Sequence, residues 1–209
     1  FCFFLILPLL VSFKSIDPNL SIRFLFTALC LSIISLWLIK NNFKNRNESF
    51  SFSIIIYPLL GYCFFSIISI FSSINPLESV NHIIKLILLI NFSILTSILA
   101  NEKQFKSLTS TFLTYGIGIV GLIGLIQFFT NTEIIPGGWG YPYSTMSNGN
   151  LFSSILLISL PFCIYSFCLQ NNLTCKISIF CITLLNFMII ISQTRSVYLS
   201  YLIIIAIVI

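Results

Sequence analysis

Of the 209 residues 57% are hydrophobic and only 7% are charged, against the roughly 25% charged of a soluble domain, which could not hide so much apolar surface. The apolar residues come in long unbroken runs rather than in alternation over about ten residues, which excludes a membrane β-barrel. An all-α bundle remains, because helices satisfy their own backbone groups in lipid.

Hydropathy predicts about eight spans, roughly 1–13, 22–39, 52–72, 82–100, 108–129, 149–168, 177–192 and 196–209. The expected fold is therefore a polytopic transmembrane helix bundle, a single domain over residues 1–209. The chain begins at Phe1 without a methionine and stops inside an apolar run at Ile209, so it is expected to be truncated at both ends. The stretch from Phe1 to Phe13 has no cationic start and no small-residue cleavage site, so it is read as part of a first helix and not as a signal peptide. Pro8, Pro58 and Pro161 fall inside predicted spans, where membrane helices tolerate kinks.

The seven cysteines lie mostly in apolar runs (Cys2, Cys30, Cys63, Cys163, Cys181), with Cys168 and Cys175 near a helix end. An odd number without a Cys-x-x-Cys pair fits small buried hydrophobes, not disulfides or metal ligands. In the fifth span Gly116, Gly118 and Gly121 spell the G-x-G-x-x-G of a dinucleotide site. That motif binds phosphate only between a strand and a helix. Within an apolar span, Gly118, Gly121 and Gly124 instead form a flat stripe for close helix packing.

The connection 130–148 is the longest, contains no Lys or Arg, and belongs outside by the positive-inside rule. Lys40, Lys44, Arg46, Lys103, Lys106 and Lys176 then fall inside, and Lys14, Arg23, Lys85 and Arg195 outside. The formal charge of +5 is a topology signal and gives no argument for a nucleic-acid partner. Within the outer connection, Trp139, Tyr141 and Tyr143 stand among glycines and prolines. Their rings suit either the interfacial belt or a sugar face. Ser147, Asn148 and Asn150 then open a helix whose free N–H groups could meet an anion.

From Ile177 to Ile209 the only charge is Arg195, in Ser192-Gln193-Thr194-Arg195-Ser196. As one helix that run would be roughly 50 Å long against a hydrocarbon core of about 30 Å. It must break, and these polar residues are the place for the break. Arg195 is then either a topology marker or a planar fork of donors for a phosphate. Lys85, in Asn81-His82-Ile83-Ile84-Lys85, either snorkels to the headgroups or adds a second cation facing the bundle interior. His82 shares its helical face. No carboxylate pair or metal-ligand cluster accompanies them.

With Ser147-Asn148-Gly149-Asn150-Leu151 opening one helix and Ser192-Gln193-Thr194-Arg195-Ser196 another, the chain resembles the bacterial O-antigen ligase and O-antigen polymerase superfamily. The resemblance runs from about Tyr57 onward and includes Ser73-Ile74-Asn75-Pro76. It implies a metal-independent glycosyltransferase with no cofactor, multi-pass in the bacterial inner membrane. The implied partners are a glycan donor on undecaprenyl diphosphate and a lipid A–core acceptor, or a second glycan repeat in a polymerase. By position, Arg195 and Lys85 would meet the diphosphate, while Trp139, Tyr141, Asn148 and Asn150 would contact glycan or anion. The family's catalytic histidine and a further arginine belong to an outer loop beyond Ile209. The base is therefore unassigned here, and the chain alone is expected to be inactive. A secondary transporter is the rival from another class, but its site belongs at the bilayer midplane. The midspan polar residues are only Asn91, Gln127 and Asn186.

Overall fold

The computed structural model describes residues 2–11, 20–44, 54, 56–100, 102–133, 135, 138, 142–169 and 172–208. Among them the fold is all-α, with helices α1 (Cys2–Ile6), α2 (Leu20–Lys44), α3 (Ile56–Ser69), α4 (Pro76–Leu99), α5 (Lys103–Thr130), α6 (Gly149–Cys168), α7 (Asn172–Ser192) and α8 (Arg195–Val208). Short 3₁₀ turns follow α1 at Leu7–Leu9 and α3 at Ile70–Ser72. The chain is a multi-pass helical membrane protein.

The expectation of about eight spans is corrected. Among the described residues four helices, α4 to α7, are long and apolar enough to cross a bilayer. Among the described residues Ile22–Leu38 and Ile56–Ser72 are apolar but shorter than the roughly 20 residues a span needs, and hydropathy does not see where a helix stops being regular. Helix α1 ends after 5 residues, where Pro8 takes the first turn of the 3₁₀ segment. Helix α3 has 14 residues, about 21 Å at 1.5 Å each, and its last apolar residues tighten into the 3₁₀ turn. In α2, a helix of 25 residues, the described apolar stretch is Ile22–Leu38. The polar break at Ser192 falls where expected, and α8 begins at Arg195. Pro58 is the third residue of α3, in its first turn where no backbone donor is needed, and Pro161 lies in the interior of α6 as expected.

The chain forms two compact units, Phe1–Arg23 with Lys106–Ile209, and Phe24–Phe105. The first has a dense core in which Ile117, Val120, Phe152, Leu156, Leu185 and Met188 are fully buried. The glycine stripe of α5 makes it possible. A Cβ added at Gly118 would lie 2.7 Å from Cys181 Sγ, and one at Gly124 2.6 Å from the Phe152 ring. Small residues thus let α6 and α7 approach closely, and no phosphate could enter. Hydroxyls tie the same helices together: Ser110 and Ser166 share a bond of 2.9 Å, and Thr114 Oγ1 donates to Ser166 Oγ at 3.2 Å.

The second unit contains the helical hairpin of α3 and α4. Asn75 caps α4: its Oδ1 accepts from Glu78 N–H at 3.4 Å, its Nδ2 donates to Glu78 Oε2 at 3.3 Å, and Pro76 opens the helix. The Ser-Ile-Asn-Pro stretch is thereby accounted for as a capping motif. Only 11% of the apolar window of α4 is buried, against 44% for α5 and α6, which leaves most of α4 to lipid or a partner.

Candidate functional site

In the first unit the turn between α7 and α8 and the start of α6 come together. Gln193 adopts a left-handed φ of 49°, which reverses the chain after Ser192. Thr194 then starts α8, its carbonyl accepting from Val197 and Tyr198 N–H, both at 3.1 Å. The buried Thr194 hydroxyl meets Ser153 Oγ of α6 at 2.8 Å. The Tyr198 hydroxyl donates to Ile190 O across the turn, and Val197 is buried in the core. The break is therefore a rigid corner, held from both sides.

Arg195 is the first residue of α8 and is exposed. It makes no hydrogen bond or ion pair among the described residues. Its guanidinium is thus uncommitted, at a helix N-terminus whose dipole adds to its positive field. Asn148 caps α6 by accepting from Asn150 N–H at 2.8 Å, and the side chain of Asn150 is exposed. Through the Ser153–Thr194 bond, the two motifs singled out in the sequence lie at neighbouring helix starts.

Arg23 is the cation that sequence reasoning undervalued. Its Nε donates to Leu10 O at 3.0 Å, and its Nη2 to Pro8 O at 3.0 Å and to Thr145 O at 2.8 Å. Nη1 lies 2.8 Å from Met146 Sδ, and Thr145 Oγ1 donates to the same Pro8 carbonyl at 2.8 Å. All five donors of a guanidinium suit such a cluster of carbonyls. Arg23 clamps the N-terminal segment to the end of the 130–148 connection. The signal was only that an arginine sat beside an apolar run.

The 142–148 segment is locked from below by Gln127 of α5. Its fully buried Oε1 accepts from Tyr143 N–H at 3.0 Å and Ser144 N–H at 2.7 Å. The amide orientation is dictated, since two donors face one atom, and it leaves Nε2 buried without a partner among the described residues. Ser144, at a left-handed φ of 51°, donates its hydroxyl to Val120 O at 2.7 Å. Tyr143 is buried and donates to Ile135 O at 3.0 Å, so this ring is a packing element and no sugar platform. Trp139 and Tyr141 lie outside the described residues.

Lys85 belongs to the second unit. Its ammonium stands 5.1 Å from the centroid of the Phe24 ring and has no ion pair among the described residues. It lines a cavity of about 510 Å³ shared with Tyr62, Ser66, Ser69, Ser79 and His82. Among the described residues no three His, Cys, Asp or Glu side chains converge as metal ligands. The remaining midspan amides are structural: Asn186 Oδ1 accepts from Tyr201 OH at 2.7 Å and Asn91 Oδ1 from Ser35 Oγ at 3.3 Å.

No family model matches the chain, and neither a curated protein nor a solved structure matches it.

Proposed function

We propose that the chain carries the donor-diphosphate end of a membrane glycosyl-transfer site of the O-antigen ligase type. The observation that carries this reading is the uncommitted guanidinium of Arg195 on a corner fixed by the Ser153–Thr194 bond. A topology marker needs only a charge near the interface. It needs no rigid corner, no free planar fork, and no second motif at its side.

In the reaction, an acceptor hydroxyl attacks the anomeric carbon of a glycan on undecaprenyl diphosphate. The bond from that carbon to the diphosphate oxygen breaks, and the electron pair leaves with the lipid diphosphate. Arg195 holds the growing charge through charge-assisted bonds, which serves the leaving group without metal. The acceptor proton goes to a base that the corner does not contain. Asn148 and Asn150 stand ready at the start of α6 to contact the donor. The acceptor is lipid A–core in a ligase and another repeat unit in a polymerase, and the site would lie at the outer face of the bacterial inner membrane.

Photo-crosslinking with a polyprenyl diphosphate probe tests the contact. The wild-type protein should crosslink near α8, and Arg195→Ala should lose the crosslink while remaining inserted. Undiminished crosslinking in Arg195→Ala would refute the assignment.

A further inference from the structure

We infer that the cavity between α3 and α4 is a binding site for an anionic bilayer lipid with a polyol headgroup, of the phosphatidylglycerol type. The inference goes beyond the transfer reading and does not depend on it. The cavity, about 510 Å³, falls within the roughly 300–1,000 Å³ of small-molecule sites. Its charge is one-sided. Lys85 has no counter-ion among the described residues, and the nearest acid in sequence, Glu78, is engaged by Asn75 in the cap of α4. An ammonium on a membrane helix, with no ion-pair partner among the described residues, can attract a lipid phosphate.

The hydroxyls narrow the headgroup further. Ser66 Oγ donates to Tyr62 O at 2.8 Å, Ser69 Oγ to Ser66 O at 2.9 Å and Ser79 Oγ to Asn75 O at 3.2 Å. Each serine bonds a backbone carbonyl with its one proton, so its oxygen is available as an acceptor. Such oxygens can accept from the O–H groups of a polyol. The side chains of Tyr62 and His82 donate to no group among the described residues and remain available to the phosphate together with Lys85. A single ligand that needs both sets carries a phosphate and hydroxyl donors.

The apolar part supplies the tail. Along α4, Ser79, His82 and Lys85 come first, and Leu86 and Leu89 follow on the same cavity wall. The gradient from Ser79 to Leu89 covers about 15 Å at 1.5 Å per residue, a headgroup above and the upper part of an acyl chain below. The large exposed surface of α4 leaves that wall open to the bilayer.

The test is native mass spectrometry of the protein released from nanodiscs containing phosphatidylglycerol, phosphatidic acid and phosphatidylethanolamine in equal parts. Phosphatidylglycerol should be retained preferentially. Lys85→Gln should lower its retention about tenfold, as expected for one charge-assisted contact, and Tyr62→Phe by less. Ser66→Ala with Ser79→Ala should erase the preference over phosphatidic acid while leaving anionic lipid bound. Arg195→Ala should keep its phosphatidylglycerol even where transfer is lost, which separates this site from the catalytic reading. Equal retention of all three lipids, or no response to both Lys85→Gln and Tyr62→Phe, would overturn the assignment. So would one-for-one displacement of phosphatidylglycerol by a polyprenyl diphosphate, which would make Lys85 part of the donor site.

Discussion

Replacing Gln127 by Leu should loosen the 142–148 segment far more than the loss of one uncharged midspan residue suggests. The side chain is fully buried, and its Oε1 is the acceptor for both Tyr143 N–H at 3.0 Å and Ser144 N–H at 2.7 Å. Leucine fills the space but accepts nothing. Two backbone donors are then left in a dry core, at about 1–3 kcal/mol each. The total is about 2–6 kcal/mol, reduced by whatever water can enter. Removing the unpartnered Nε2 offsets a small part of that cost. Because Ser144 and Ser147 are held at left-handed φ values of 51° and 55°, the freed segment has strain to release. Unfolding in a mixed detergent series should show the stability loss, and a cysteine at Ser147 should react faster in the variant. A loss below about 0.5 kcal/mol with unchanged reactivity would refute the view that Gln127 locks this segment, since two orphaned donors cannot cost so little.

Arg23→Met removes every bond to the Pro8, Leu10 and Thr145 carbonyls and should cost about 2–4 kcal/mol; Arg23→Lys should recover only part, because an ammonium cannot span the cluster. The same unfolding series measures both, and equal stability of Lys and Arg forms would contradict the clamp. Gly124→Ala places a methyl 2.6 Å from the Phe152 ring and should destabilise by about 1–3 kcal/mol, whereas Gly61→Ala, with nothing within 4 Å, should be neutral. Cysteines placed at Trp139 and Arg195 should label from outside, and those at Lys44 and Lys103 from inside. The reverse pattern would remove the outer-face reading.

The helical class and most helix positions were legible because apolar runs bounded by polar breaks are a one-dimensional signal. The break at Ser192–Arg195 and the packing role of Gly118, Gly121 and Gly124 follow from it. The number of spans was not legible. It depends on where a helix stops being regular, as after Ile6 and at Ile70, and hydropathy does not see that. Partners were equally hidden. Arg23 and Arg195 are both lone arginines beside apolar runs, yet one guanidinium is committed to carbonyls drawn from residues 8–145 and the other has no partner among the described residues. Tyr143 resembles its loop neighbours in sequence, but its hydroxyl finds Ile135 O and buries the ring. Long-range pairing made these distinctions, and spacing along the chain carries no trace of it. Lys85 was legible as a cation toward the outer end of its span, although α4 starts earlier and makes it the tenth residue; the serines that surround it were not legible, because they come from two helices.

The central claim rests on the chemistry of one guanidinium, and a charge series at Arg195 in the native gene product tests it most directly. Transfer of a lipid-linked glycan would be followed in membranes with matched protein levels for wild type, Arg195→Lys and Arg195→Ala. The alanine form should lose about 10²–10³ in rate, by analogy with removing one preorganised donor from a developing charge. The lysine form should recover little of it, since it keeps the charge and loses the bidentate fork. Full transfer with lysine would make Arg195 a topology marker, and full transfer with alanine would contradict the site altogether.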